Sequence, residues 1–576
     1  MRSSLGMATG LFGAHQRRTS ATTFFSIGSI RRVSVGSFRQ RIGHTRTLTA
    51  LTLAIGAGAS VLIALSPSAS KKTQNQPVPT IESASVFSLA RSYFVFTCCT
   101  IPIIIDNSTS LLNALTHSGI PGLAMVVNFF VRHTFFAQFV AGESVADCRD
   151  SMAFLRSRNV GTLLNYAAET DESLQVHSKD LEQLRLQEVE RAIDEAGAFE
   201  ASEAKKGAAR GSTMFALKIT GLIDPAILER ASYTLLRYRS SPLAGGKMIP
   251  YPGAPTDDDF KIVANKSECD DEPFLSLKGE VPAMGVLKTD EGLRKGDLEA
   301  LRSLWNKLRS LSERAKKQGI KILVDAEHSW YQPVIDAYCL LLSQEFNKPS
   351  PNDGKWNGPL IYGTYQSYLL RLPAFLEYSM KHAEEHGYAL GVKLVRGAYF
   401  VQERSKWMTE GRPGPDPIWS NKPTTDCIFN EAVGKVLNTL SQQLKGAHPE
   451  RALDVVIGTH NAKSVRLIIE GMEKYGLCER KSSGRLQIKD EARGKVFVGQ
   501  LYGMKDDLGD LILKSFEPDG MPVAVKYVAY GPLSAIMAYL GRRASENKSL
   551  MTGDEGAAAE RKRIVNELKR RLSEWM

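Results

Sequence analysis

The chain has 576 residues, 43% of them hydrophobic, so it exceeds one average domain and can support a large core with added segments. A net charge of +11 would suit a nucleic-acid binder, but the first 81 residues hold ten Lys or Arg and no acid, so the excess belongs largely to a leader and nucleic acid is not expected as a partner. HExxH, GxSxG, P-loop and GxGxxG sequences are absent, which removes the usual support for a zinc protease, a serine hydrolase, an NTPase or a Rossmann dinucleotide enzyme.

Residues 1–81 combine scattered arginines (Arg2, Arg17, Arg18, Arg31, Arg32, Arg39, Arg41, Arg46) with many Ser, Thr and Gly, and the first acid is Glu82. This is the composition of a mitochondrial transit leader. Within it, residues 48–65 carry no charge, which leaves two readings open: a short membrane segment or a second part of the cleaved leader. The apolar runs at 93–105 and 120–139 are too short for a span. Residues 85–212 are expected as a helical N-terminal arm, ending in the Gly-rich stretch 207–211. Seven cysteines, at 98, 99, 148, 269, 339, 427 and 478, show no CxxC and no histidine at zinc-site spacing, and so suggest buried thiols in a reducing compartment.

From residue 296 onward one unit recurs, an amphipathic helix, a glycine, then a short apolar strand ending in polar residues, and the barrel it builds is expected over residues 213–555. Leu298, Leu301, Leu304, Leu308 and Leu311 form one helix stripe, followed by Gly319 and a strand at 320–324. Further strands are expected at 214–219, 360–364, 389–395, 455–457, 496–498 and 523–528, seven in all, with an eighth unplaced. Near-continuous apolar strands alternating with helices indicate a parallel sheet, and this number favours a (β/α)8 barrel over an open sheet. An acid- and Pro-rich insertion, 241–295, lacks a calcium-loop pattern and is expected to be solvated. Residues 556–576 are expected as a C-terminal helix.

In such a barrel the chemistry sits at the C-terminal strand ends, where Lys218, Asp325, Gln366, Arg396, His460, Leu501 and Tyr530 fall. Tyr539, Arg542, Arg543, Glu546 and Asn547 follow at i, i+3, i+4, i+7 and i+8, one face of a helix. Paired arginines on such a face suit an anion clamp, most naturally for a carboxylate or a phosphate.

Six ordered stretches, Val324-Asp325-Ala326-Glu327, Lys393-Leu394-Val395-Arg396-Gly397-Ala398-Tyr399, Thr459-His460-Asn461, Gln500-Leu501-Tyr502-Gly503-Met504, Tyr530-Gly531-Pro532 and the Tyr539 to Asn547 face, resemble the proline dehydrogenase family. The resemblance spans about residues 85–555. It implies a distorted (β/α)8 barrel holding FAD, oxidation of L-proline to 1-pyrroline-5-carboxylate, electron transfer to a membrane quinone, and residence at the mitochondrial inner membrane. It also implies that Arg542, Arg543 and Lys218 clamp the substrate carboxylate, with Asp325 and Glu546 as their partners, and that Leu501, Tyr530 and Tyr539 form the wall over the ring. For FAD it implies contacts from Asp325, Gln366, Lys393, Arg396, Gly397, Ala398, Tyr399, Lys422, Thr425, Thr459, His460, Asn461, Gln500, Leu501, Arg543 and Glu546. Two positions depart from bacterial members, which carry arginine where Lys393 stands and glutamine where Gly499 stands. The competing readings are a related flavin barrel acting on hydroxyproline or another small cyclic amine, a metal-dependent hydrolase using Asp325, His328 and His460, and a non-catalytic membrane scaffold.

Overall fold

The computed structural model describes residues 80–101, 121–167, 179–239, 243–244, 247–249, 253–264, 292–349, 357–410, 416–549 and 556–575, position 519 excepted. Eight apolar runs form parallel strands: β1 (Gly161–Tyr166), β2 (Thr213–Leu217), β3 (Lys321–Val324), β4 (Ile361–Gln366), β5 (Gly391–Val395), β6 (Asp454–Gly458), β7 (Val496–Leu501) and β8 (Ala524–Tyr530). Each pairs with its sequence neighbour and β1 pairs with β8, closing a barrel. The fold is therefore an α/β, TIM-like barrel, as the strand spacing predicts.

The period-two pleat explains the apolar runs. Leu163, Met214, Ala216, Leu323, Tyr362, Val456, Phe497 and Val525 share one buried cluster in the barrel interior. The alternate residues, among them Leu164, Phe215, Leu217, Ile322, Val324, Val455, Ile457 and Val528, join the cluster between the strands and their helices. Strands buried on both faces have no polar side to show.

The helices include α1 (Val86–Cys99), α2 (Leu123–Val131), α3 (Arg149–Ser157), α4 (Lys179–Lys205), α5 (Pro225–Tyr238), α6 (Lys295–Gln318), α7 (Gln332–Phe346), α8 (Leu372–His386), α9 (Lys422–Leu444), α10 (Ala462–Lys474), α11 (Asp506–Ser515), α12 (Met537–Ser549) and α13 (Ala557–Trp575), with a further helix at Phe400–Glu410. The predicted leucine stripe of α6 is buried, and Gly319 closes that helix in the left-handed region at φ 71°. Only glycine takes that conformation without strain. At the opposite end of the barrel from the polar strand ends, buried Asp454 accepts hydrogen bonds from Lys321 (2.8 Å), Lys495 (3.0 Å) and Tyr362 (3.0 Å).

Two expectations need correction. The region 85–212 is not only a helical arm: it contains β1, the unplaced eighth strand, and α4, which packs on β1, β2 and α6 as a barrel helix. The insertion 241–295 is not simply solvated: Ile249, Ala254, Ile262 and Val263 are buried, and Asp259 is fully buried in an ion pair with Arg239. The leader and residues 48–65 lie outside the described residues. Among the described residues no helix is long and apolar enough to cross a membrane. The C-terminal helix forms as α13 and packs on α1.

Candidate active site

The C-terminal strand ends surround a cavity of about 310 Å³. On its floor, Asp325 follows β3 and meets two inward side chains. Lys393 of β5 pairs with Asp325 Oδ1, Tyr527 of β8 donates to Oδ2 at 2.8 Å, and Lys393 Nζ lies 5.1 Å from the Tyr527 ring centre. Asp325 and Lys393 are each 7% exposed. A buried pair of this kind contributes little net stability, but removing one member leaves a charge stranded away from water, so the arrangement holds both ends in place.

Arg396, just beyond β5, is fixed on three sides. It donates to Asp426 (2.6 Å), Thr459 Oγ1 (2.7 Å) and Ser464 Oγ (2.9 Å), and its guanidinium lies 4.1 Å from the Phe429 ring centre. Burial works against ionisation of Asp426, but hydrogen bonds from Lys422 and Arg396 hold its carboxyl below the ordinary value. Gly397 follows at φ +133°, and a Cβ there would lie 2.4 Å from the Tyr368 ring, so no other residue fits.

His460 Nε2 accepts the backbone N–H of Leu501 at 3.0 Å, which places the ring proton of the neutral tautomer on Nδ1. Burial, reinforced by Lys526, Arg543, Lys505 and Arg396, pushes its pKa down to about 3. His460 is therefore a neutral hydrogen-bond donor at physiological pH. Two acceptors in the wall, Asn165 Oδ1 of β1 and Gln366 Oε1 of β4, are buried without a hydrogen-bond partner among the described residues. Buried acceptors of this sort are able to take a donor from water or from a bound molecule.

Helix α12 closes the cavity with Tyr539, Arg542, Arg543 and Glu546. Arg543, 7% exposed, donates to Glu546 at 2.6 Å and lies 4.8 Å from the Tyr539 ring centre. Lys218, at the end of β2, lines the same cavity.

The cavity thus gathers Lys218, Asp325, Gln366, Lys393, Arg396, Gly397, Ala398, Tyr399, Thr459, His460, Leu501, Tyr539, Arg542, Arg543 and Glu546. Gln500 lines it too, with its side chain turned away, and four expected residues stand elsewhere. Tyr530 has the opposite pleat parity from Tyr527, so its ring packs outside the barrel, 5.5 Å from that of Tyr166. Gln500 borders the cavity, but its amide oxygen faces α11, 3.8 Å from the place of a Gly509 Cβ. Lys422 is exposed on α9 and pairs with Asp426 at 2.6 Å, Thr425 is buried one turn on with its hydroxyl on the Asn421 carbonyl (3.3 Å), and Asn461 caps α10 through Ser464. Lys422 and Asn461 each touch a residue that holds Arg396, Asp426 and Ser464 respectively.

Tyr527, Asn165 and Thr364 are polar cavity residues that sequence reading misses, along with apolar ones such as Leu163, Val456 and Val525. The signal for Tyr527 is its i+2 spacing from inward Val525. His328 is stacked on Trp330 (4.2 Å, 8°) and packed against Tyr399, and among the described residues it forms no metal-holding group with Asp325 and His460.

A family model described as proline dehydrogenase matches residues 148–553. This chain belongs to the proline dehydrogenase family. It is accordingly an oxidoreductase of the class that acts on proline. Among curated relatives, it is 26% identical to "Proline dehydrogenase 1, mitochondrial" of Dictyostelium discoideum, covering 85% of this chain and 73% of the relative. It is likewise 26% identical to the protein of that name from Homo sapiens, covering 86% and 90%. A "Hydroxyproline dehydrogenase" from Mus musculus is 26% identical over 84% of this chain and 91% of its own. Among solved structures, proline utilization A from Bdellovibrio bacteriovorus, inactivated by N-propargylglycine, superposes with a TM-score of 0.53 at 15% identity. The match covers 86% of this chain and only 41% of that one, and it supports the barrel fold.

Proposed function

We propose that this proline dehydrogenase family member oxidises L-proline to 1-pyrroline-5-carboxylate, using FAD and delivering the electrons to a membrane quinone. The observation that carries the reading is the pairing, in one cavity, of a cationic face on α12 with unpartnered acceptors and a neutral histidine on the strand ends. One side suits an amino-acid carboxylate and the other a planar heterocycle rich in N–H and C=O groups.

The residues present fit the cofactor. Gln366 and Asn165 offer acceptors, His460 a donor, and Lys393 and Arg396 positive charge, in a wall that is otherwise apolar at Leu163, Val395, Val456 and Val525. FAD, when bound, supplies the two-electron acceptor for oxidising the ring carbon beside nitrogen. Asp325 keeps Lys393 in place, and Asp426, Thr459 and Ser464 fix the fork of Arg396. Such preorganised charge stabilises negative charge that builds up during reaction without having to reorganise. At the Lys393 position a point charge replaces the planar fork of bacterial members.

Arg543, Arg542 and Lys218 bind the proline carboxylate. Glu546 keeps Arg543 aimed across the mouth, and Tyr539, Leu501 and Tyr527 confine the ring. Confinement matters because orientation of the reacting carbon supplies much of the rate enhancement. The closed face of Tyr539 on Arg543 favours proline over its hydroxylated analogue. The Arg-rich leader supports import into mitochondria, and Met125, Val126 and Phe129, exposed on α2, support contact with the inner-membrane surface.

The test is an anaerobic visible spectrum of the purified chain before and after L-proline. Bleaching of a flavin band by L-proline, and by hydroxyproline only weakly, is the expected outcome. A flavin that L-proline leaves oxidised refutes the substrate, and a colourless folded protein refutes the cofactor.

A further inference from the structure

On the outer side of the barrel, remote from the cavity, three ligand-bearing side chains converge. His382 and His386 stand one turn apart on α8, with rings stacked at 3.9 Å and 10°. Asp257, from the described part of the 241–295 insertion, reaches both. Its Oδ1 lies 3.3 Å from His382 Nε2 and its Oδ2 lies 3.0 Å from His386 Nε2. One ligand atom from each residue lies within 4.8 Å of the others.

The hydrogen bonding of the rings shows what this cluster lacks. His386 Nδ1 lies 3.0 Å from the His382 carbonyl, which can only accept, so Nδ1 carries the proton. In the neutral ring Nε2 is then a bare lone pair facing a carboxylate oxygen, itself only an acceptor. The contact is attractive only with a cation between the two atoms, either a proton or a metal.

We infer that Asp257, His382 and His386 bind a divalent transition-metal ion of the zinc class, which clips the 253–264 segment to α8. A tetrahedral site with bonds of about 2.0–2.1 Å has ligand atoms about 3.3 Å apart. The two imidazole–carboxylate contacts measure 3.3 and 3.0 Å on different carboxylate oxygens, and one ligand atom from each residue lies within 4.8 Å of the others, so binding draws the three atoms inward around the ion. The outer partners match those of metal-bound histidines: a backbone carbonyl holds His386, the Tyr388 hydroxyl holds His382 Nδ1 (3.1 Å), and Gln344 donates to Asp257 Oδ1 (2.8 Å). The segment is already seated on the helix by Arg371 to the Gly253 carbonyl (2.7 Å) and by Tyr378 to the Pro255 carbonyl (2.6 Å). His386 and Asp257 are partly exposed, which leaves an entry path and room for a water as fourth ligand. Two histidines, one carboxylate and an open position suit zinc, nickel or cobalt better than calcium or magnesium.

The full-length flavoprotein is stripped with chelator and titrated calorimetrically with zinc chloride, beside Asp257→Asn and His386→Gln. Both substituted residues are partly exposed, so these variants are expected to fold, which melting curves check. The expected result is one zinc equivalent on the wild type, an affinity at least ~10-fold weaker in each variant, and a zinc-dependent rise in melting temperature in the wild type alone. Proline kinetics are expected to be the same in all three, since none of these residues lines the cavity. Equal zinc isotherms for wild type and variants, or no binding by the wild type, overturn the site and leave the proline reading untouched.

Discussion

Replacing Arg543 by Met separates carboxylate recognition from the rest of the site. The guanidinium is 7% exposed, ion-paired to Glu546 at 2.6 Å and stacked on Tyr539. Methionine keeps the apolar volume against that ring but removes the charge and the fork. The Glu546 side chain left behind is 38% exposed, so water solvates it and the fold loses little. The substrate carboxylate loses a charge-assisted hydrogen bond of about 1.5–3 kcal/mol, which weakens proline binding by about 10- to 150-fold. Arg542 and Lys218 remain, so binding is weakened and not abolished. Arg543→Lys restores the charge without the fork and falls between the two. Anaerobic titration of flavin absorbance gives the dissociation constant directly, with flavin content and melting temperature as controls. An unchanged proline affinity with flavin retained refutes the clamp.

Tyr527→Phe removes the 2.8 Å hydrogen bond to Asp325, so kcat/KM falls and thermal unfolding registers a loss of about 1.5–3 kcal/mol. Tyr530→Phe, which removes a buried hydroxyl without a partner, leaves both nearly unchanged. His460, with a pKa of about 3 against an ordinary 6.5, resists protonation in the fold while the unfolded chain takes up a proton, so between those values stability falls as pH falls. His460→Asn is expected to flatten the pH dependence of the melting temperature by an amount equivalent to about 1.4 kcal/mol per unit in that window, and a slope equal to the wild type refutes the burial argument. Asp454→Asn strands Lys321 and Lys495 and costs about 3–5 kcal/mol of stability with proline affinity unchanged. Two lysines outweigh burial and hold the Asp454 pKa below 3.8, so its contribution is present above that pH and lost as pH falls through the depressed value, a loss visible in acid unfolding curves.

The barrel was legible because four strands repeat one pattern, an amphipathic helix with a glycine stop before an apolar run, and three more apolar runs raise the number to seven. β1 was not, because Gly161-Thr-Leu-Leu-Asn-Tyr166 follows helices that belong to no repeat, and its pairing with β8 spans almost the whole domain. The cavity residues on α12 and after β3, β5 and β6 were legible as polar types at the ends of apolar strands. Tyr530 was misplaced because its neighbours Gly531 and Pro532 mark the strand end, whereas facing is set by parity, and parity selects Tyr527. Asp257 and Asp259 read as solvated acids because their partners, on α8 and at Arg239, are distant in sequence or hidden by a loop.

The placement of α12 explains both the site and the irregularities of the fold. In a regular barrel the helix after the eighth strand lies along the wall and covers β8 and β1. Here α12 lies over the mouth, where it packs on α1 and brings Tyr539, Arg542, Arg543 and Glu546 to the cavity. A helix side chain can aim a fixed guanidinium across a pocket more precisely than a strand-end loop, so the proposed anion clamp would gain rigidity from this placement. The exposed wall must then be covered by something else. That element is α3, which precedes β1 and packs on it, with Met152 and Leu155 in the same buried cluster as Leu164 and Tyr530. Tyr530 and α12 are thus linked: the tyrosine that looked catalytic fills the wall that the displaced helix leaves behind.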